Sequence, residues 1–320
     1  MVGAPAQRHG QIACGTISVA NLDRSVSLYE RVLRYLPVET GEVSVELATS
    51  WGTPDAVGAR YAISRPDGGG PGALRFIESG ASPEHVPAAS FGWNAFELTV
   101  NDVFELATHI EKSEFRLDGP PKLVDGFTSF IPMQVFGPDG EVLFLNQVNH
   151  SDDDADLPKT NLVAGEIFIA VLAARDRECS ASEYTRGLVL DRAATHTLRY
   201  GLVNRAFGLP EQTTHTITMI QNGRTPFAQI DQYPVGAKTR VQQPGQMPAG
   251  NAMVSVYVKS LTNLPWSELA ISEPSNFSGE MYNGGAAQVV RGASGELLEL
   301  IELQAVMSEE KVGYEKTKTH

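Results

Sequence analysis

The stretch "NLDRSVSLYERVLRYLP", Asn21–Pro37, decides how the chain is read. Val26, Tyr29, Val32 and Leu33 recur at helical spacing, which puts an apolar stripe on one face of a helix. Before it, "GTISVA" alternates as a half-buried strand does; after it, "EVSVELAT", "ARYAISR" and "GALRFIES" read as short β segments divided by Gly, Pro and Asp. The local order is therefore βαβββ.

A similar phrase returns as "RDRECSASEYTRGLVL", Arg175–Leu190. A repeated spacing marks duplicated structural units. Asp23-Arg24 matches Asp176-Arg177, "LRFIESG" from Leu74 resembles "AQIDQYP" from Ala228, "WNAFELTV" from Trp93 resembles "GNAMVSVYV" from Gly250, and "GPDGEVLFL" from Gly137 resembles "GASGELLEL" from Gly292. The members of each pair are about 155 residues apart and keep one order, which indicates two duplicated halves. A weaker half-period places Asn101-Asp102-Val103 where Asn21-Leu22 stands in the opening unit. The expected fold is α+β, with four βαβββ modules in two halves. The domain plan is an N-terminal domain at 1–150, an acidic linker at 151–160, a C-terminal domain at 161–306 and a polar tail at 307–320. The linker lies within "NHSDDDADLPKTN", Asn149–Asn161, whose charge run reads as solvated chain.

The 320 residues, 42% hydrophobic and 20% charged, supply core material for two domains. A formal net charge of -13 repels phosphate backbones and anionic lipid. No basic run offsets it, so neither a nucleic-acid nor a membrane partner is expected. No apolar stretch approaches the roughly 20 residues that span a bilayer, and "MVGAPAQRHGQIAC" lacks the pattern of a signal peptide. The cytoplasm is the expected location, and a homo-oligomer is left open. Cys14 and Cys179 are too few for a disulfide framework, although a single bridge between them stays open.

Four βαβββ modules, with "NLDRSVSLYERVL" at the first helix and "GPDGEVLFL" at the last strand of the second module, resemble the vicinal oxygen chelate superfamily. This group contains glyoxalases, bleomycin-resistance proteins and type I extradiol dioxygenases. The resemblance spans about residues 10 to 305 and implies two open barrels, one per half, each made of paired modules. It also implies a divalent ion held by residues of the first and last strands of the modules, His on the first and Glu on the last. Carried onto this chain, those positions fall on Cys14, Arg75, Ala95 and Phe144 in the first half, and on Ile167, Gln229, Met253 and Glu299 in the second. Only Glu299 matches the family pattern. Arginine has no acceptor, and an amide and a thioether beside one carboxylate are a poor cage for such an ion. No metal and no other cofactor is expected.

The candidate site is therefore the second half. Gln229, Asp231 and Tyr233 share a strand face by period two, as do Met253, Ser255 and Tyr257, and Glu299 with Ile301. Glu299 is the expected general base, with Tyr257, His215 or Gln229 stabilising an oxyanion. Gln229, Asp231, Ser255 and Met253 are expected to bind substrate, and Arg205 to reach a substrate anion. In the first half Arg75 and Glu97 are expected to form a buried ion pair, with a carboxylate-binding Arg75 as the alternative. The expected function is a metal-independent lyase or isomerase acting on a small aromatic or carbonyl-containing molecule. Two other readings stay open. One is a ligand-sequestering, resistance-type binding protein; the other is an extradiol-type dioxygenase with iron on His196, His215 and Glu299.

Overall fold

The computed structural model describes residues 7–304 except Pro71, residues 125–127 and Asn263; the polar tail expected at 307–320 lies outside the described residues. Module one contains β1 (Ile12–Val19), α1 (Leu22–Leu33), β2 (Tyr35–Glu42), a short helix α2 (Val45–Ser50), β3 (Arg60–Pro66) and β4 (Ala73–Glu78). Module two contains β5 (Gly92–Val100), α3 (Val103–Ile110), β6 (Arg116–Gly119), β7 (Phe130–Phe136) and β8 (Val142–Val148). Module three contains β9 (Ala164–Ala174), α4 (Arg177–Gly187), β10 (Asp191–Arg199), α5 (Gly201–Phe207), β11 (Thr214–Asn222) and β12 (Thr225–Gln232). Module four contains β13 (Gly250–Val258), β14 (Ser275–Asn276), β15 (Ala286–Arg291) and β16 (Leu297–Glu302), with a 3-10 turn at Pro265–Leu269 where the other modules carry a helix. None of the described helices is long and apolar enough to cross a membrane.

Each module helix starts on a side-chain cap that satisfies a free backbone N–H of the first turn. Asn21 accepts from Arg24 N, Asp102 from Phe104 N and Glu105 N, and Asp176 from Cys179 N. The caps Asn21 and Asp176 define the true register of the repeat, so the match of Asp23-Arg24 to Asp176-Arg177 is two residues out. Helix α1 buries Leu22, Leu28, Tyr29, Val32 and Leu33, as its spacing requires. The segment "EVSVELAT", a strand by its alternation, is divided instead between the end of β2 and α2. Ser44 makes the difference, since its side chain accepts from Leu47 N at 3.2 Å and starts a helix.

The strands form two eight-stranded sheets, ordered β14-β15-β16-β13-β1-β4-β3-β2 and β10-β11-β12-β9-β5-β8-β7-β6. Module one is thus joined to module four, and module two to module three. The seams are antiparallel, pairing Cys14 with Ser255 across β1 and β13, and Glu97 with Ile169 across β5 and β9. The two open sheets are those expected, but each takes one module from each half, which corrects the expectation that each half builds its own open barrel. The halves contribute one first strand to each sheet centre, and those strands are buried along both faces rather than half-buried.

Within a half, side chains rather than strand edges hold the modules together. Tyr29 of α1 donates to Glu141 at 3.0 Å, and at the equivalent place Tyr184 of α4 donates to Glu296 at 3.1 Å. The helix-covered faces of the two sheets share one core that includes Ile17, Tyr29, Trp93, Phe96, Tyr184 and Phe227. Gly15 lets β1 approach it, because a Cβ there would lie 2.6 Å from the Phe96 ring.

Because both seams join different halves, a half-chain leaves two buried strands unpaired. Residues 1–156 alone are expected to show no cooperative thermal transition as a monomer, and addition of residues 157–320 to restore one, followed by circular dichroism. A monomeric half that melts cooperatively would mean that the pairing occurs within halves.

Candidate functional site

The concave face of the first sheet, built by modules one and four, is closed by a buried ion pair. Arg75 on β4 reaches Glu299 on β16 at 3.0 Å, and the two side chains are 2% and 0% exposed. Glu299 also accepts from Trp51 Nε1 at 2.8 Å, Tyr282 Oη at 2.8 Å and Ser255 Oγ at 2.5 Å. Arg75 donates in turn to Thr16 Oγ1 at 3.0 Å and Tyr282 Oη at 2.9 Å, and its guanidinium stacks 4.5 Å from the Trp51 ring centroid. Burial pushes the Glu299 carboxyl up, but Arg75 and the three other donors outweigh it and hold the group below the ordinary carboxylate range. Every charge is matched and every strong acceptor is used.

The second sheet, built by modules two and three, has the opposite character. Glu97 on β5 is buried and accepts one bond, from Asn146 Nδ2 of β8 at 2.6 Å. No cation faces it. Burial pushes its carboxyl up to about 8, against the opposing Asn146 hydrogen bond. Asp231 on β12 takes a hydrogen bond from Gln229 Nε2 at 2.8 Å, and burial, with Glu97 adding to it, raises this carboxyl well above its usual range. Its second oxygen has no partner. The Tyr200 hydroxyl is turned toward Asp231 and the Tyr233 hydroxyl toward Asn94, each short of a well-formed hydrogen bond. Asn94 and one oxygen of Asn146 are likewise buried without partners. A fold does not leave this many buried polar atoms unsatisfied without reason.

Strand register explains the contrast. Thr16 lies opposite Arg75 and Ser255 opposite Glu299 in the first sheet, and Val171 lies opposite Gln229 and Glu97 opposite Phe144 in the second. Between the two sheets the arginine has become an amide, and the carboxylate has moved from the last strand of its module to the first.

The sequence matches no protein-family model and no curated protein. Among solved structures, a point variant of glyoxalase I from Zea mays superposes with a TM-score of 0.62 at 17% identity, covering 91% of this chain and 92% of that chain. Glyoxalase I from the same plant gives 0.60 at 15% identity, with 91% and 92% covered. A Bacillus subtilis protein designated a candidate dioxygenase gives 0.60 at 14% identity, with 94% and 87% covered. The chain has the vicinal oxygen chelate fold. Identities this low leave activity to be argued from the site.

The divalent ion that this fold implies does not fit either sheet. In the first, the Arg75 guanidinium occupies the place of a ligand and supplies the positive charge itself. In the second, the nearby imidazole of His215 is engaged with Asn204 rather than turned to the carboxyls, and among the described residues no three His, Cys, Asp or Glu side chains gather to hold a metal. The iron set of His196, His215 and Glu299 is not assembled. His215 lies on β11 with Nε2 2.7 Å from Asn204 Oδ1, and His196 lies beside it on β10, both in the second sheet. Glu299 belongs to the first sheet.

The expected site residues therefore divide. Glu299, Ser255, Met253 and Tyr257 line the first sheet; Gln229, Asp231 and His215 belong to the second. They do not converge, because modules three and four are in different sheets. Glu299, expected as a base, is the acceptor of the ion pair, and Arg75 pairs with it rather than with Glu97. Tyr257 donates to Met281 O at 3.2 Å. Arg205 is exposed on α5 and pairs with Asp118. Ile167 packs into the helix-side core, while Ile169 and Val171 line the concave face. Sequence reasoning misses Trp51, Tyr282, Asn146 and Tyr200. The sequence holds a signal for Asn146, a polar residue inside "VLFLNQV" at period two from Phe144.

Removing one partner strands the other charge, so Arg75→Met or Glu299→Gln is expected to cost about 3–5 kcal/mol. The double variant Arg75→Met/Glu299→Leu should regain most of that loss in urea unfolding. Burial also raises Glu141 and Glu296 to about 7, beside Glu97 at about 8. These folded-state values exceed the unfolded value of 4.5. Their contribution is thus complete below that value and disappears as pH rises through 7 and 8, at about 1.4 kcal/mol for each tenfold weakening of the acid on folding. The urea midpoint is expected to fall between about pH 5 and pH 9, and a flat or rising midpoint would contradict these environments.

Proposed function

We propose that the protein is an enzyme that moves protons on a small carbonyl-containing or aromatic molecule, a lyase or isomerase working without a metal. The site is the concave face of modules two and three. The observation that carries this reading is the pair of buried carboxyls, Glu97 and Asp231, with no cation among the described residues to neutralise them and the Tyr200 hydroxyl turned toward Asp231. A carboxyl poised near neutral pH in a dry site can both give and take a proton.

Glu97 keeps its proton below about pH 8. Asn146 holds one of its oxygens, which leaves the other for substrate. Glu97 then acts as the acid or, once deprotonated, as the base. Burial raises the Asp231 carboxyl well above its usual range, and in its protonated form it donates a hydrogen bond together with Tyr200 or Tyr233 to the oxygen that gains negative charge. The ion pair of modules one and four serves as a structural pillar in this reading. Phe144 and Tyr200, with ring centroids 6.3 Å apart, form an aromatic wall that also favours the second reading, a protein that holds such a ligand without turnover.

Glu97→Gln preserves the shape and removes the proton. With a carbonyl or ring compound found to bind by thermal shift, the enzyme reading expects turnover to fall by about 10²-fold or more with little change in affinity. The wild-type rate should titrate near pH 8. A ligand bound equally by both proteins and converted by neither would sink the enzyme and support the binding protein.

A further inference from the structure

The repeat places two copies of one crevice between the sheets, outside the concave faces. The first, of about 220 Å³, is lined by Ser18, His85, Asp139, Gly140 and Gly250. The second, of about 80 Å³, is lined by Gly92, Arg240, Arg291, Ser294 and Gly295. The correspondence is physical as well as sequential. Ala20 N donates to Asp139 at 3.1 Å, and Arg175 N donates to Ser294 at 3.0 Å in the matching position. His85 approaches Gly250 as Arg240 approaches Gly92.

The copies differ in charge. In the first, Arg24 neutralises Asp139 at 2.7 Å, and His85 bonds Gly140 O at 3.2 Å. Burial, with the nearby Arg240 charge adding to it, lowers His85 to about 4, so it is uncharged at neutral pH. In the second, Cys179 and Ser294 occupy the places of that ion pair, and Arg175, Arg240 and Arg291 occupy those of Ala20, His85 and Phe136. None of the three arginines has an acidic partner among the described residues. Among the described residues Arg240 donates to backbone oxygens, from Nε to Phe91 at 3.3 Å and from Nη1 to Ala249 at 3.2 Å and Asn251 at 3.3 Å, and its Nη2 meets no acceptor there. Burial lowers this guanidinium to about 10, the behaviour of a desolvated cation without a counter-charge. Arg291 donates to Gly295 O at 3.2 Å alone, and Arg175 lies 4.6 Å from the Phe91 ring centroid. The one carboxyl in the lining, Glu296, accepts from Tyr184 and from Ser294 N and bonds neither arginine.

We propose that this second crevice binds a compact oxyanion, a carboxylate or phosphate group, between Arg240 and Arg291. The guanidinium fork matches two oxygens of such a group, and the volume admits an anionic group but not a ring system. Local positive charge persists despite the net charge of -13 because surface charges farther away than a Debye length are screened. The binding does not require the proton chemistry assigned to the second sheet, although Arg240 stands within electrostatic reach of Tyr233.

Calorimetric titration with inorganic phosphate and with acetate, at constant ionic strength set by chloride, tests it. Saturable binding of one equivalent is expected, weakened about tenfold or more by Arg240→Gln and by Arg291→Gln and unchanged by His85→Gln in the twin crevice. Arg291 holds little of the fold, so its variant keeps the test valid if Arg240→Gln fails to fold. Preference for phosphate identifies a phosphorylated ligand and preference for acetate a carboxylic acid. No saturable binding of either anion, or an affinity unchanged in Arg291→Gln, overturns the proposal.

Discussion

Backbone hydrogen bonding between first strands of different halves is the constraint on which this structure rests. The strands β1 and β13, and β5 and β9, are buried along both faces, so their peptide groups must find partners in the sheet. Each finds one in the other half of the chain. The two modules of each half are then left to meet through their helices and through the Tyr29–Glu141 and Tyr184–Glu296 bonds. The connection between the two modules of each half must cross from one sheet to the other, and the two crevices lie along those crossings.

Duplication allowed the two concave faces to diverge. In the first, a guanidinium provides inside the protein the positive charge that an ion would provide, and its partner carboxylate is enclosed by Trp51, Tyr282 and Ser255. Such a cluster is rigid and finished; a buried pair of this kind resists any change that leaves one charge alone. In the second, the exchange of arginine for Gln229 removes the cation while Glu97 and Asp231 remain. The same desolvation that is compensated in one sheet is left to act on acidity in the other. The crevices diverged in a parallel way, one closed by Arg24 and Asp139 and the other left with unpaired arginines.

Much of the fold was legible because it is local. Helix caps, the apolar stripe of α1 and the Gly-rich hairpins "GPDG" and "GASG" lie within a few residues of what they control. Repeat registers were less exact. Gly92 and Gly250 each begin a first strand with positive φ, and Trp93 meets Leu297 O as Asn251 meets Val142, so that anchor is one residue from the match of Asn94 to Asn251. The charged residues of the site are legible one by one, since alternation turns Arg75, Glu97, Asp231 and Glu299 inward. Their partners are not, since Arg75 and Glu299 are separated by most of the chain.

The sequence by itself determined four modules, the capped helices that open the first three of them, and the alternation that turns Glu97, Asp231 and Glu299 inward, because each depends on backbone geometry over a few residues. Only the tertiary structure decided which module pairs with which. Strand edges carry the same N–H and C=O groups whatever the sequence, so the choice of partner is settled by the packing of whole faces. That choice separated Glu299 from Asp231, gave Arg75 its counter-charge and left Glu97 without one.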